Sequence, residues 1–318
     1  MVQLGLTSAQ LDEVIDRVNN GPLKRRINDL RRRQAEVRRA LPARDPTPDP
    51  SPQVLTLELG GVALRARLIP AGEFLMGSAE ADTGEGPQRR VIIARPFYVG
   101  EFPVTQAQFE AVLGTNPARF TGDSDRPVER VSWFAAQEFC LWASQLTGRW
   151  VRLPSESEWE YACRAGTTTA FHWGEAPDPE WINCKIGGLA PVAHLLADTA
   201  GSEDATQTNV AGRYPANPWG LFDTHGNVQE WCEDEWHASF AGASADGSAR
   251  VTPGNEDPFR VIRGGSCWHY ATACTASSRQ QLRADADDEP RDVPEDSFLA
   301  ALFSDKAPVG FRVVIASD

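Results

Sequence analysis

Beyond residue 41 this chain cannot run far in one regular element before a glycine or proline interrupts it. Its 26 glycines and 23 prolines lie almost entirely there, and such punctuation favours tight turns and short strands over long helices. Only two windows escape. "SWFAAQEFCLWASQLTG" opens on Ser132 and stops at Gly148, and "SESEWEYACRAG" opens on Ser155, carries Glu158 at the capping-box position and stops at Gly166. Each has a helix start and stop in place. "VLTLELGGVALRARLIPAG" alternates apolar and polar residues about Gly60-Gly61, which predicts a β-hairpin.

A chain of short elements needs large side chains to fill its core. Ten tryptophans and 41% hydrophobic residues in 318 supply them, enough for one large domain. The net charge is −13, distributed as +4 on residues 1–45 and −17 on the rest. An acidic body argues against nucleic acid as partner. No apolar run is long enough to span a membrane, and the start lacks the layout of a secretion signal. The expected location is cytoplasmic. The six cysteines (140, 163, 184, 232, 267, 274) lack CxxC spacing, so free buried thiols are expected in place of structural zinc.

The first 41 residues read as a helical segment. "TSAQLDEVIDRV" opens on Thr7 or Ser8, with Gln10 in a capping-box pattern, and "NNGP" at 19–22 is expected to break it. A second helix begins at Pro22. Its Leu23, Ile27, Leu30, Gln34, Val37 and Leu41 follow a four-three spacing, while arginines crowd the other faces. Such a seam serves either as an oligomerisation or nucleic-acid arm, or as a helix docked on the acidic body. "PARDPTPDPSP", residues 42–52, is an extended linker, and the main domain is expected over 53–318.

Several phrases then resemble one family together: "IPAGEFLMGS" (69–78), "FPVTQAQF" (102–109), "PVERVSWFAAQEFCLW" (127–142), "RLPSESEWEYACRAG" (152–166), "NPWGLFDTHGNVQEW" (217–231), "RVIRGGS" (260–266) and "GFRVV" (310–314). In this order they resemble the formylglycine-generating-enzyme (sulfatase-modifying factor) superfamily. The resemblance implies a variant C-type-lectin fold: α+β, loop-rich, with a C-terminal segment forming an exposed face. Trp133, Trp142, Trp159, Trp219 and Trp231 are expected in its core, and Arg152, Glu156, Glu160 and Arg263 in an ion network that fixes loops.

The resemblance also implies where chemistry would lie. Formylglycine-generating enzymes bind copper with two cysteines in the C-terminal segment and oxidise a substrate cysteine. Soft thiolates suit Cu(I). Counted from Ser266, the second falls on Cys274 and the first on His269, with Cys267 two residues early. The alternatives are an oxidase using Cys274 with His269 or Cys267, or a Cys274 that faces Cys163 in the core. The second is expected, so no copper site is anticipated. The related iron-dependent sulfoxide synthases need a His-rich domain, and this chain has no histidine before His172; iron is not expected either. The family's "GN-x-x-EW" calcium site would fall on His225, Gly226, Val228 and Glu230, with Gln229 where tryptophan is usual. A second site would begin at Asn183 and end near Asp204.

Without the paired thiolates, the region 263–314 reads as a binding surface. Trp268, His269 and Tyr270 give contact area with little rotamer loss. Cys267, Ala271, Thr272, Ala273, Thr275, Ser277, Ser278 and Gln280 complete the expected ligand face. The segment resembles the variable proteins of diversity-generating retroelements, with candidate variable positions among 267–307. The expected function is non-enzymatic ligand binding and display, with an unidentified protein or other macromolecule as partner and an oligomer through the N-terminal helix as a further candidate. The insertion at 284–309 contains "SFLAALF", a short helix capped by Ser297 that covers the face, meets a partner or packs on the body.

Overall fold

The computed structural model describes residues 8–42, 53–79, 84–186, 207–252, 259–286 and 308–317. The Gly-Gly hairpin forms as expected: β1 (Val54–Leu59) pairs antiparallel with β2 (Val62–Ile69), with Leu59 opposite Val62. A second hairpin, β3 (Gly72–Met76) with β4 (Arg89–Ile93), follows. Strand β5 (Phe97–Gly100) returns beside β2. Helix α2 (Gln106–Leu113) is a helix the sequence reading passed over. Thr105 and Gln108 form its capping box, and Gly114 ends it at φ 73°.

The two expected helices are present. Helix α3 (Trp133–Thr147) is capped by Ser132, whose Oγ accepts from the Ala135 amide, and ends on left-handed Gly148. Helix α4 (Glu156–Arg164) carries the reciprocal Ser155–Glu158 box. It stops one residue early, at Ala165 with φ 47°.

The C-terminal phrase closes two sheets. After β6 (Val151–Arg152), β7 (Gln229–Glu235), β8 (Phe259–Arg263) and β9 (Arg279–Arg283), the chain pairs β10 (Val309–Gly310) parallel with β7. Strand β11 (Val314–Ala316) then lies between β5 and β6. The sheets run β1-β2-β5-β11-β6 and β10-β7-β8-β9. Phe311, between β10 and β11, is fully buried against Phe109 of α2 and Phe139 of α3, at 6.2 and 5.3 Å between ring centroids.

At the N-terminus the structure departs from the expected break. Helix α1 runs unbroken from Ser8 to Ala40, through Gly21 and Pro22. An interior proline costs about 3 kcal/mol. The helix buries Leu23, Ile27, Leu30 and Val37 in the main core, each worth about 1.5–3 kcal/mol, so packing wins. The seam docks on this chain's own body. Arg33 forks onto Glu138 of α3 at 2.7 Å, Arg31 reaches Glu235 at 3.1 Å, and Arg26 lies over Phe134.

Of the five tryptophans expected in the core, Trp133, Trp159 and Trp231 are buried and Trp219 is partly so. Trp142 is exposed instead. It shares the outer face of α3 with Glu138 and the exposed Leu146, donating to Glu138 at 3.0 Å.

Candidate ligand-binding face

Strands β8 and β9 pair with Arg263 opposite Arg279, and the fifteen residues between these partners leave the sheet as one loop. Its root is ionic. Arg279 forks onto Glu156 at 2.7 and 2.8 Å, Arg263 pairs with Glu160, and Glu160 also accepts from Arg164 and the Gly77 amide, both at 2.8 Å. Arg263 donates to the Ser277 carbonyl at 2.6 Å, closing the loop on itself. The expected network of Glu156, Glu160 and Arg263 is therefore observed, whereas Arg152 pairs separately with Glu158. Breaking such a buried pair costs about 3–5 kcal/mol, so the loop stands on a stiff base.

Gly264 and Gly265 adopt φ 87° and 65°, a pair of left-handed residues that turns the chain sharply. Ser266 then organises the next three residues. Its Oγ lies 2.7 Å from His269 Nδ1 and accepts from the Trp268 amide, and its carbonyl accepts from the His269 amide. A single 3-10 turn, Ala271–Ala273, leads to Cys274. Neighbouring segments clamp the loop: Lys185 N–H donates to His269 O, Ala271 N–H to Lys185 O, Cys267 N–H to Asn227 O and Ala276 N–H to Ala170 O.

This course divides the expected ligand face. Tyr270 and Thr272 are exposed; Trp268, His269, Ala273, Thr275, Ser277 and Gln280 are half-buried; Cys267, Ala271 and Ser278 are buried. Ala271 packs in a cluster with Cys184 and Ile186, Cys267 donates its amide to the Asn227 carbonyl, and Ser278 lies at the loop root, where its carbonyl accepts from Arg263. They hold the loop and present nothing to a ligand. Gln280 spends its side-chain oxygen on Gln229 Nε2 at 2.9 Å.

Three residues outside the loop join the face, and the sequence reading missed them. Phe120 meets Trp268 edge-to-face at 6.1 Å, the Arg119 guanidinium lies 5.8 Å from both rings, and Lys185 Nζ lies 5.9 Å from the Tyr270 ring. Glu129, buried below, accepts from the amides of Arg119 and Phe120 and so holds that loop up. The one linear signal was an adjacent cation and aromatic in a turn-rich stretch.

The sulfurs behave differently. Cys274 does not face Cys163. Its thiol donates to the Tyr270 carbonyl at 3.6 Å, and the neighbouring Cys184, followed by burial, pushes it well above the ordinary thiol range. Cys184, Cys274, Ile182, Phe171 and Ala271 form one apolar cluster. Cys163 belongs to another, and His225 stands between the two. His225 Nδ1 donates to the Cys274 carbonyl at 2.7 Å, so its Nε2 is the acceptor that faces Cys163 Sγ at 3.5 Å and the His172 amide at 3.3 Å. Burial drives His225 down to about 3, and burial drives the thiols of Cys163 and Cys267 up to about 12. His269 is lowered to about 4, by burial and then by Lys185.

Glu230, the charged residue of the implied calcium site, is fully buried. Arg312 forks onto it at 2.6 and 2.7 Å, and Trp159 Nε1 donates at 2.7 Å. Gly226 is at φ 75°, paired across to Asn183; Val228 is buried in the core. Asn183 donates to Asn227 and to the Gln207 carbonyl. Asp204 and "SFLAALF" lie outside the described residues.

Comparison with known proteins fits this geometry. Residues 64–290 match the sulfatase-modifying factor enzyme 1-like domain family. The serine/threonine-protein kinase pkn1 of Chlamydia caviae is 30% identical over 226 residues, covering 63% of this chain and 32% of that protein. This chain thus spans about a third of that relative's length. The formylglycine-generating enzyme of Thermomonospora curvata is 28% identical over 265 residues, covering 65% of this chain and 83% of the enzyme. Among solved structures, PvdO from Pseudomonas aeruginosa aligns with a TM-score of 0.65 at 23% identity, and Treponema denticola variable protein 1 with 0.62 at 22%. Each alignment covers 84% of this chain and 100% of the other. The expected variant C-type-lectin fold is therefore the fold observed.

Proposed function

This chain belongs to the sulfatase-modifying factor enzyme 1-like domain family, and from that premise we propose that it is a non-enzymatic ligand-binding protein of the variable-protein type. Its relatives include both formylglycine-generating enzymes and a variable protein, so the choice rests on the site. The observation that carries it is the division of the 264–278 loop: aromatic and small side chains face outward on a fixed root while both sulfurs are buried. A copper oxidase of this family needs two thiolates within reach of a substrate cysteine. Here His269 occupies the first position with Nδ1 against Ser266, and Cys274 is a buried, hard-to-ionise thiol. These residues do not fit the family's copper pair. Rigid aromatics amid small residues instead suit recognition, since little rotamer freedom is lost on contact. No described helix is long and apolar enough to cross a membrane.

The deciding experiment is oxygen uptake with Cu(I) and a cysteine-containing peptide. No turnover above a copper-only control is expected; uptake that disappears in Cys274→Ser would overturn the reading. One observation favours the oxidase alternative, namely that Cys184 gives Cys274 a sulfur neighbour. The same assay on Cys184→Ser decides it.

A further inference from the structure

We infer that the outward face of this loop takes a short acidic polypeptide segment, with Arg119 and Lys185 receiving its carboxylates and Phe120, Trp268 and Tyr270 covering its apolar side chains. This rests on the binding reading above and names its partner class.

The argument begins with how the two cations are held. Arg119 and Lys185 are both exposed, and each lies against a ring of the face at 5.8–5.9 Å. A cation resting on a ring at the surface keeps most of its charge available to a ligand, so that contact orients the charge without consuming it. Among the described residues neither side chain pairs with a carboxylate, unlike Arg263, Arg279 and Arg312 at the loop root and core. Glu129, beneath Arg119, is buried and occupied by backbone amides. Among the described residues, two positive charges without a carboxylate partner therefore flank Trp268 and Tyr270, with the backbone beside them held by the Ser266 turn and the Lys185–His269 and Ala271–Lys185 hydrogen bonds.

Charge arithmetic selects the partner. The chain carries −13 overall, so a polyanion with one charge per residue or nucleotide would meet a repulsive body that two cations cannot offset. A segment with two acids and apolar residues between them matches both the number and the alternation of charge and ring. Aromatic and arginine contacts of this kind dominate protein interfaces, and a guanidinium donates paired hydrogen bonds to a carboxylate.

The test uses the full chain and three labelled probes in fluorescence anisotropy at low salt: a nine-residue peptide with two Glu separated by Leu and Phe in a Gly/Ser background, the same peptide with both Glu replaced by Gln, and a single-stranded oligodeoxythymidylate. The acidic peptide is expected to bind saturably and at least tenfold more tightly than the Gln peptide. Arg119→Ala combined with Lys185→Ala should remove that preference, and Trp268→Ala should weaken both peptides. Both cations are exposed, and an unchanged melting temperature confirms that the double variant folds. Equal binding of the acidic and Gln peptides, tighter binding of the oligonucleotide, or no binding of any probe overturns the inference. None of these results touches the non-enzymatic reading, which the oxygen assay tests separately.

Discussion

Cys274 Sγ occupies the space that a side chain on Gly265 would need: a Cβ built there would lie 2.4 Å from the sulfur and 2.7 Å from the Ala273 carbonyl. Gly265 also holds φ 65°. The RGG turn and the C-terminal cysteine are thus one packing unit, joined by a residue that has no side chain.

Gly265→Ala should accordingly destabilise the protein by about 2–4 kcal/mol, since it combines a clash with left-handed strain. Cys274→Ala in the same chain should restore part of the loss and not all, because the Ala273 carbonyl remains in the way. Urea unfolding of the single and double variants measures both. No recovery would show that the sulfur is not the obstacle, and full recovery that neither the Ala273 carbonyl nor the left-handed backbone adds to it.

Glu230 and Arg312 make a second exact pairing of partners, and it bears on calcium. With both carboxylate oxygens in the arginine fork and one also receiving Trp159, a cation added nearby would have to displace a guanidinium. The expected result is a melting temperature unchanged between millimolar calcium and a chelator. Glu230→Gln should cost about 3–5 kcal/mol by leaving Arg312 buried and unneutralised. Calcium-dependent stabilisation that vanishes in Glu230→Gln would instead restore a metal role to this carboxylate.

What the sequence made legible is what short-range chemistry encodes. Ser132, Ser155, Glu158 and Gly148 mark helix ends because a cap needs only its own turn. The Gly60-Gly61 hairpin is equally local. The break expected at Gly21-Pro22 did not occur because α1 is held by residues more than a hundred positions away, such as Phe134 and Glu138. Trp142 was expected inside because tryptophan is usually buried, but its place on α3 puts it beside Glu138 on the outer stripe. The face itself was half visible: Trp268 and Tyr270 sit in a recognisable phrase, whereas Arg119, Phe120 and Lys185 reach it only through the fold. Likewise, linear spacing could not tell that Cys274 would meet Cys184 and not Cys163, since His225 stands between Cys274 and Cys163 in space.

His225 gives the pH dependence its sign. Its folded pKa is about 3 against an ordinary 6.5, lowered by burial first and by His172 next. A histidine depressed in the native state contributes stability above its unfolded pKa and loses it as pH falls toward the folded value, by about 1.4 kcal/mol per pH unit. Asp234, raised to about 7 by burial and then by Glu156, acts oppositely between about pH 4 and 7. Comparison within one background therefore isolates the histidine. From pH 7 to pH 5, wild type should lose about 2 kcal/mol more stability than His225→Asn loses over the same interval. Parallel stability curves for the two proteins would mean His225 is not held neutral.

The thiols provide the sharpest chemical check on the functional reading. All six cysteines are buried and free. Burial holds Cys163 and Cys267 at about 12, while the neighbouring Cys184 and burial push Cys274 well above the ordinary thiol range. At pH 8 a thiol at 12 is ionised in about one molecule in ten thousand, and the thiolate is the reacting species. Iodoacetamide at pH 8 should therefore label none of the six within an hour in the native protein and all six in guanidinium, as read by intact mass. Oxidase chemistry demands the opposite of Cys274, an accessible sulfur that ionises near neutral pH. Rapid, selective labelling of Cys274 in the folded chain would thus place a reactive thiolate at the loop and return the protein to the catalytic side of its family.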